Sequence, residues 1–429
     1  MLEKFFSLRQ NGTTIRREFI AGLSTFLTMS FIIAVNPGIL SDAGIDFAAA
    51  FMATIIATVI GTLIMGLYAG WPVAVAPGMG LNAFFTYVVV LGSGFTWQQG
   101  LTAVFVSSIL FFIFSISRIR AWLLESIPSA LQAGITAGIG LFLAMIGLTS
   151  AGIIIANPDT IVGLGSISSP EVLLACAGLI LIAGLEYRGI KGGILLGILL
   201  ISAMGWATGF ASFAGIASTP PVASAAFALD FSAVTSPAFI SIVFVMLFVD
   251  FFDTTGTLSA ISEIAGKRRQ DGSIENLNKA VVADTSASVV GALAGTSNMT
   301  TYLESATGIK AGGKTGLTAL FIALLFASCI FFEPLFASIP AFATAPALIF
   351  VAANFLSSLK RVEWDDLSQS VPVMVIALVM PVSFSIAAGI AFGFITYVVM
   401  KLIAGKASDI APPLWVIVAF AAIWLALSA

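Results

Sequence analysis

The chain has 429 residues, of which 59% are hydrophobic and 9% charged, with 36 Phe, 40 Gly and no His. That is about a third of the charge of a typical soluble domain, which excludes an ordinary soluble enzyme, a nucleic-acid binder with a basic face and a disordered chain. What remains is an all-α polytopic membrane protein; without His, its proton chemistry near neutral pH falls to carboxylates in shifted environments.

The N-terminal stretch through Arg17 is polar and basic. It leads into a full-length apolar run with no small-residue cleavage site after it, so no cleaved signal peptide is expected. A span needs about 20 apolar residues. Full-length candidates cover 19–36, 47–67, 97–117, 128–150, 192–210, 239–261, 317–332, 340–359 and 384–403. Shorter or interrupted candidates cover 73–90, 172–185, 280–295, 297–308 and 371–380, which brings the expected count to fourteen. A last apolar stretch, 414–427, follows Pro412 and Pro413 and is left open as a span or an interfacial segment.

Charge tests this assignment. All 18 Lys and Arg fall in loops of one face, from Lys4, Arg9, Arg16 and Arg17 through Arg118 and Arg120 to Lys401 and Lys406. The other face carries only acids: Asp42, Asp46, Asp159, Glu171, Asp230 and Glu333. The positive-inside rule then places the N-terminus in the cytoplasm.

Two sets of seven spans imply an inverted repeat. Span 5 opens with Ser126-Ile127-Pro128 and span 12 with Ser338-Ile339-Pro340. The third span of each half is interrupted, at 73–83 and at 295–306. Each interrupted span begins strand-prone or turn-prone and then turns helical, with one polar side chain early in the helix, Asn82 opposite Glu304. Irregular backbone is tolerated in a bilayer only where it is buried or lines a cavity. Paired breaks therefore point to a substrate site at the midplane.

Four acids remain inside spans: Asp250, Asp253, Asp284 and Glu304. Each costs about 2.5–3.5 kcal/mol at a helix centre on insertion scales, which makes them functional candidates. Asp250 and Asp253 are one turn apart and can share a cavity. A protonated carboxyl offers a donor and an acceptor side by side, which suits the edge of a heterocycle.

Other features read as bland. Cys176 and Cys329 are isolated core residues that build neither a disulfide nor a metal framework. The stretch from Gly308 to Thr315 matches the phosphate-loop pattern but lacks a strand before it and a soluble domain around it, so it reads as a flexible cytoplasmic turn. The Gly78 to Ala83 stretch lacks the βαβ context of a dinucleotide site. Asn11 and Asn298 head glycosylation-like triplets in the wrong places. An intramembrane aspartyl protease would need its two acids on separate helices, whereas Asp250 and Asp253 share one.

Four stretches taken together carry a family resemblance: 18–29, 76–85, 250–258 and 300–308. On them the chain resembles the nucleobase:cation symporter-2 family, in its AzgA-like purine permease branch. The resemblance implies fourteen transmembrane segments in two inverted seven-span repeats, the UraA-like fold. Spans 3 and 10 would be broken, with short antiparallel strands at the midplane. Residues 1–127 and 237–338 would form a core domain and residues 128–236 and 339–429 a gate domain. The two would move as an elevator, in a homodimer in the inner membrane.

Glu304 matches the family's substrate-binding glutamate, Asn82 the branch's span 3 asparagine and Asp284 an acidic position of span 9. Relatives space the two span 8 positions four apart rather than three, so Asp250 and Asp253 are both carried as the substrate acid. Gly80, Thr300, Thr301 and Leu303 would complete the lining. Asp250, Asp253, Asp284 and Glu304 would couple protons. The implied activity is proton-driven import of adenine, guanine, hypoxanthine or xanthine. No cofactor, metal, nucleotide or nucleic acid is expected. Replacing Glu304 with Gln is expected to abolish purine binding, and Glu125→Gln on the cytoplasmic side is not. The alternatives are an anion transporter of the same fold, which would want basic residues near the breaks, and a channel or membrane scaffold.

Overall fold

The structure is a computed structural model that describes residues 2–116, 128–269 and 273–428. Arg118, Arg120, Glu125, Ser126 and Ile127 lie outside the described residues. In chain order the main helices of the first half are α1 (Ile15–Met29), α2 (Ile32–Asp42), α3 (Phe47–Ile64), α4 (Met79–Ala83), α5 (Trp97–Ile116), α6 (Ser129–Ser150), α7 (Pro170–Tyr187) and α8 (Gly193–Thr208). Those of the second half are α9 (Pro237–Ile264), α10 (Leu277–Ala294), α11 (Ser305–Lys310), α12 (Gly316–Ser328), α13 (Ala341–Leu356), α14 (Leu367–Val382), α15 (Ile386–Ile403) and α16 (Pro412–Ser428). Two strands interrupt them at the expected breaks, Val75–Pro77 before α4 and Met299–Thr301 before α11.

Among the described residues eight helices are long and apolar enough to cross a membrane, and four shorter apolar helices accompany them. This is a multi-pass membrane protein. Helix starts follow local chemistry. Asp46 accepts from the Ala49 N–H, and Ser236 accepts from the Phe239 N–H just before Pro237, satisfying donors that no helical turn can reach. A hairpin, Ile154–Asn157 paired with Ile161–Leu164, follows α6; it has no counterpart in the sequence reading.

The chain divides into two compact units. The larger holds Met1–Ile116 and Ser150–Ala347. Within it α10 packs on α3 and α5, and α12 packs on α1 and α3. Small residues allow these approaches: a Cβ on Gly316 would overlap the Gly66 carbonyl oxygen, and one on Gly308 would overlap the Thr25 hydroxyl. The smaller unit holds Ser117–Thr149 and Leu348–Ala429. There α14 and α15 pack closely, with Ile376 against Gly393 and Met380 against Gly389.

The turn from Gly308 to Thr315 is tied down rather than loose. Glu18 is fully buried, and its carboxylate accepts from the backbone N–H groups of Lys314 (3.0 Å), Thr315 (3.3 Å) and Thr318 (3.2 Å) and from the Thr318 hydroxyl (2.5 Å). The unpaired N–H groups at the start of α12 thus bind an anion, as helix N-termini do. That anion is a side chain of the same protein.

Candidate functional site

The two breaks meet each other. Val75, Ala76 and Pro77 pair antiparallel with Thr301, Thr300 and Met299. The ladder extends by one bond at each end, from the Gly78 N–H to the Asn298 carbonyl (2.9 Å) and from the Tyr302 N–H to the Ala74 carbonyl (3.0 Å). These bonds are mates about a two-fold axis through the Ala76–Thr300 pair. Two three-residue strands still leave outward N–H and C=O groups in an apolar interior, where each needs a partner. One hydroxyl on each side supplies both. Thr62 of α3 donates to the Val75 carbonyl (3.1 Å) and accepts from its N–H (3.0 Å). Ser288 of α10 does the same for Met299, at 2.9 and 3.0 Å.

Counting outward from the Ala76–Thr300 pair gives a correction. Four residues on from each lie Gly80 and Glu304, so Glu304 is the mate of Gly80. Asn82 corresponds to Ala306 and does not stand opposite Glu304, because the strand pairing sets the register and the order of polar residues does not.

The site residues named from the sequence all lie in the larger unit. Asp250, Asp284 and Asn82 are fully buried, and Thr300 and Thr301 nearly so. Gly80 is also buried, Asp253 and Glu304 are partly exposed, and Leu303 is 41% exposed. The two aspartates of α9 have therefore separated. Asp250 Oδ2 accepts from Asn298 Nδ2 at 3.0 Å in the interior, while Asp253 reaches a partly open surface. Both oxygens of Asp284 have a partner: they accept from Thr254 (2.5 Å) and Thr301 (2.7 Å), which ties α10 to α9 and to the second strand. Glu304 occupies the cap position of α11 but makes no capping bond. It lies in electrostatic range of Glu186 on α7 and of Asp253, and Asp250 lies in range of both Asp284 and Asp253.

Several buried polar atoms here have no partner among the described residues: Asn82 Oδ1, Asp250 Oδ1, Ser297 Oγ, Asn298 Oδ1 and Thr300 Oγ1. Each such atom costs about 1–3 kcal/mol when left unpaired. They gather at the two breaks and on α9 beside them.

Sequence reasoning missed Asn36, Thr62, Ser288, Asn298 and Glu18. Asn36 before Pro37 reads as the end of a span, and Ser and Thr are common in membrane helices. Glu18 stands beside Arg16 and Arg17 and reads as a solvated residue. Only Asn298, polar inside an interrupted span, carried a usable signal.

Comparison with known proteins places this arrangement. The model of a permease family, Xan_ur_permease, matches residues 16–392. The chain is 44% identical over 413 residues to adenine permease AdeP of Escherichia coli (strain K12), covering 96% of this chain and 93% of that one. It is 40% identical over 416 residues to guanine/hypoxanthine permease PbuO of Bacillus subtilis (strain 168), covering 95% and 96%. Among solved structures, the transmembrane domain of a cyanobacterium bicarbonate transporter BicA matches with a TM-score of 0.65. That match covers 88% of this chain and 97% of that one at 16% identity, a likeness of fold alone.

Proposed function

Since the chain belongs to this permease family, we propose that it is a secondary transporter that imports purine nucleobases together with protons. Relatives named for adenine and for guanine and hypoxanthine support the substrate class. The single observation that carries the reading is the pair of partly exposed carboxylates, Asp253 and Glu304, in the larger unit that also holds the unpaired buried polar atoms of the two breaks. A purine presents N–H donors and ring-nitrogen acceptors along one edge, and carboxylates that gain and lose a proton can meet both.

Glu304 and Asp253 contact the base in this reading. Asn82, Gly80, Leu303, Thr300 and Thr301 line the site. Asp250, coupled to Asp253 and Asp284, carries the proton exchange. Residues 1–127 and 237–338 act as the moving core and 128–236 and 339–429 as the gate, in a homodimer of the inner membrane with the N-terminus in the cytoplasm. The test is uptake of labelled adenine and hypoxanthine into proteoliposomes under an imposed pH gradient, then under a sodium gradient. Uptake that follows the pH gradient and disappears in Glu304→Gln, but not in Glu171→Gln at the exposed start of α7, is expected. Uptake unaffected by Glu304→Gln, or driven by sodium alone, would overturn the assignment.

A further inference from the structure

A directed chain of hydrogen bonds runs through three elements of the larger unit. The Thr54 hydroxyl of α3 donates to the Ala50 carbonyl at 2.6 Å. A hydroxyl has one proton, so toward Asn36 of α2 it can only accept, and Asn36 Nδ2 donates to it at 2.7 Å. The second proton of that nitrogen goes to Thr296 Oγ1 at 2.9 Å, beside the second break. Both donors of Asn36 are then used. Its remaining atom, Oδ1, accepts from Asn82 Nδ2 at 2.8 Å. Asn82 must therefore turn its nitrogen toward Asn36 and its carbonyl oxygen away. All four side chains are fully buried, and Asn82 Oδ1 ends the chain with no partner. Rotating the Asn82 amide by half a turn would set two carbonyl oxygens against each other. Asn82 lies on α4, which packs on α2 and on α9, the helix of Asp250 and Asp253.

We infer that Asn36, backed by Thr54, is a positioning residue that holds the Asn82 amide so that the site offers a hydrogen-bond acceptor to one N–H of the transported base. This rests on the purine reading above and adds a specificity rule to it. A base that presents an N–H at that point gains a bond, and one methylated there does not. Asn36 does not touch the base; it acts through Asn82.

The experiment is competition for adenine uptake by singly N-methylated adenines and hypoxanthines in the full-length protein. In the wild type, methylation at one nitrogen is expected to weaken competition by about tenfold more than at the others, the worth of one hydrogen bond. In Asn36→Leu that excess falls to about twofold, with the ranking of the remaining analogues unchanged. Combining Asn36→Leu with Asn82→Leu adds nothing to Asn82→Leu alone. Thr54→Val removes only the far end of the chain and lowers the excess to about threefold, so the inference stays testable if Asn36→Leu does not fold. The excess surviving in both variants would mean that it is steric, and the inference falls. It also falls if no methylation position stands out in the wild type, as when a buried water satisfies Asn82 Oδ1. A wild-type protein that takes up no purine at all overturns the transport reading itself.

Discussion

The two breaks share one backbone and differ in what they offer chemically. At both, a three-residue strand is bracketed by a hydroxyl from a neighbouring helix and extended by one further bond, in two-fold correspondence. Past the strands the correspondence ends. The first break continues into Gly80 and the neutral Asn82, whose amide is set by Asn36. The second carries Glu304 at the mate position of Gly80, with Asp284 and Asp250 attached through Thr301 and Asn298. The repeat supplies the scaffold, while the carboxylates bonded to the strand and its flanks, Asp250 and Asp284, come from the second half alone. A symmetric site would bring two carboxylates together at the same depth, each adding to the desolvation cost of the other.

The comparison breaks most readily at Glu304. Glu304→Gln should lower purine uptake by about 100-fold, the loss of a charge-assisted bond to the substrate. An uptake assay in which it matches the wild type would erase the asymmetry. The next effect belongs to a carboxylate whose partners are all internal. Glu18→Ala should leave the Lys314 and Thr315 N–H groups at the start of α12 unpaired, while the Thr318 N–H keeps its bond to the Thr315 carbonyl, and destabilise the fold by about 2 kcal/mol. Thermal unfolding in detergent reads that loss, and the ranking of purine competitors should not change.

The brackets sharpen the symmetric part. Thr62→Val and Ser288→Ala each remove one hydroxyl that serves an N–H and a C=O of the same residue, so each should cost about 1 kcal/mol. Markedly unequal unfolding shifts would show that the two strands do not carry equal roles. The smallest effect is a control in the other unit. Bonds from the Ser368 hydroxyl and N–H and from Gln369, with the nearby Lys406 charge, hold the Asp366 carboxyl down to about 2. A carboxylate with a lowered pKa stabilises the fold above its ordinary value near about 4 and loses that contribution as pH falls toward it. Asp366→Asn should therefore unfold more easily than the wild type above about pH 4 and converge with it at about pH 2, with purine selectivity untouched.

Much of this arrangement was legible beforehand, for reasons that can be named. Pro77 and Gly78 marked the first break, and Gly295 followed by the polar run Thr296, Ser297 and Asn298 marked the second, since irregular backbone in a bilayer has to be buried or line a cavity. The four acids stood out because each is expensive in lipid. The mate of Glu304 was misread because polar residues were matched by their order, whereas pairing at Ala76 and Thr300 fixes the register. Asn36 and Glu18 were passed over because each stands at the end of an apolar run, where a polar residue normally meets water. The turn from Gly308 to Thr315 was read as loose because its anion, the Glu18 carboxylate, is supplied from 296 to 300 residues away.

By itself the sequence determined the class of protein, the family, the places where helices break and which carboxylates have to be explained. The family rests on the resemblance of four stretches to known sequences; the rest follows from hydropathy, spacing and composition, which are local properties of the chain. Which oxygens are used and which stay free was set by the packing of distant segments: both Asp284 oxygens bonded, Asp250 with one oxygen unpaired, Asn82 turned by Asn36. A buried polar atom is defined by its partner, and here partners lie as far as 300 residues apart, as Glu18 and Thr318 do.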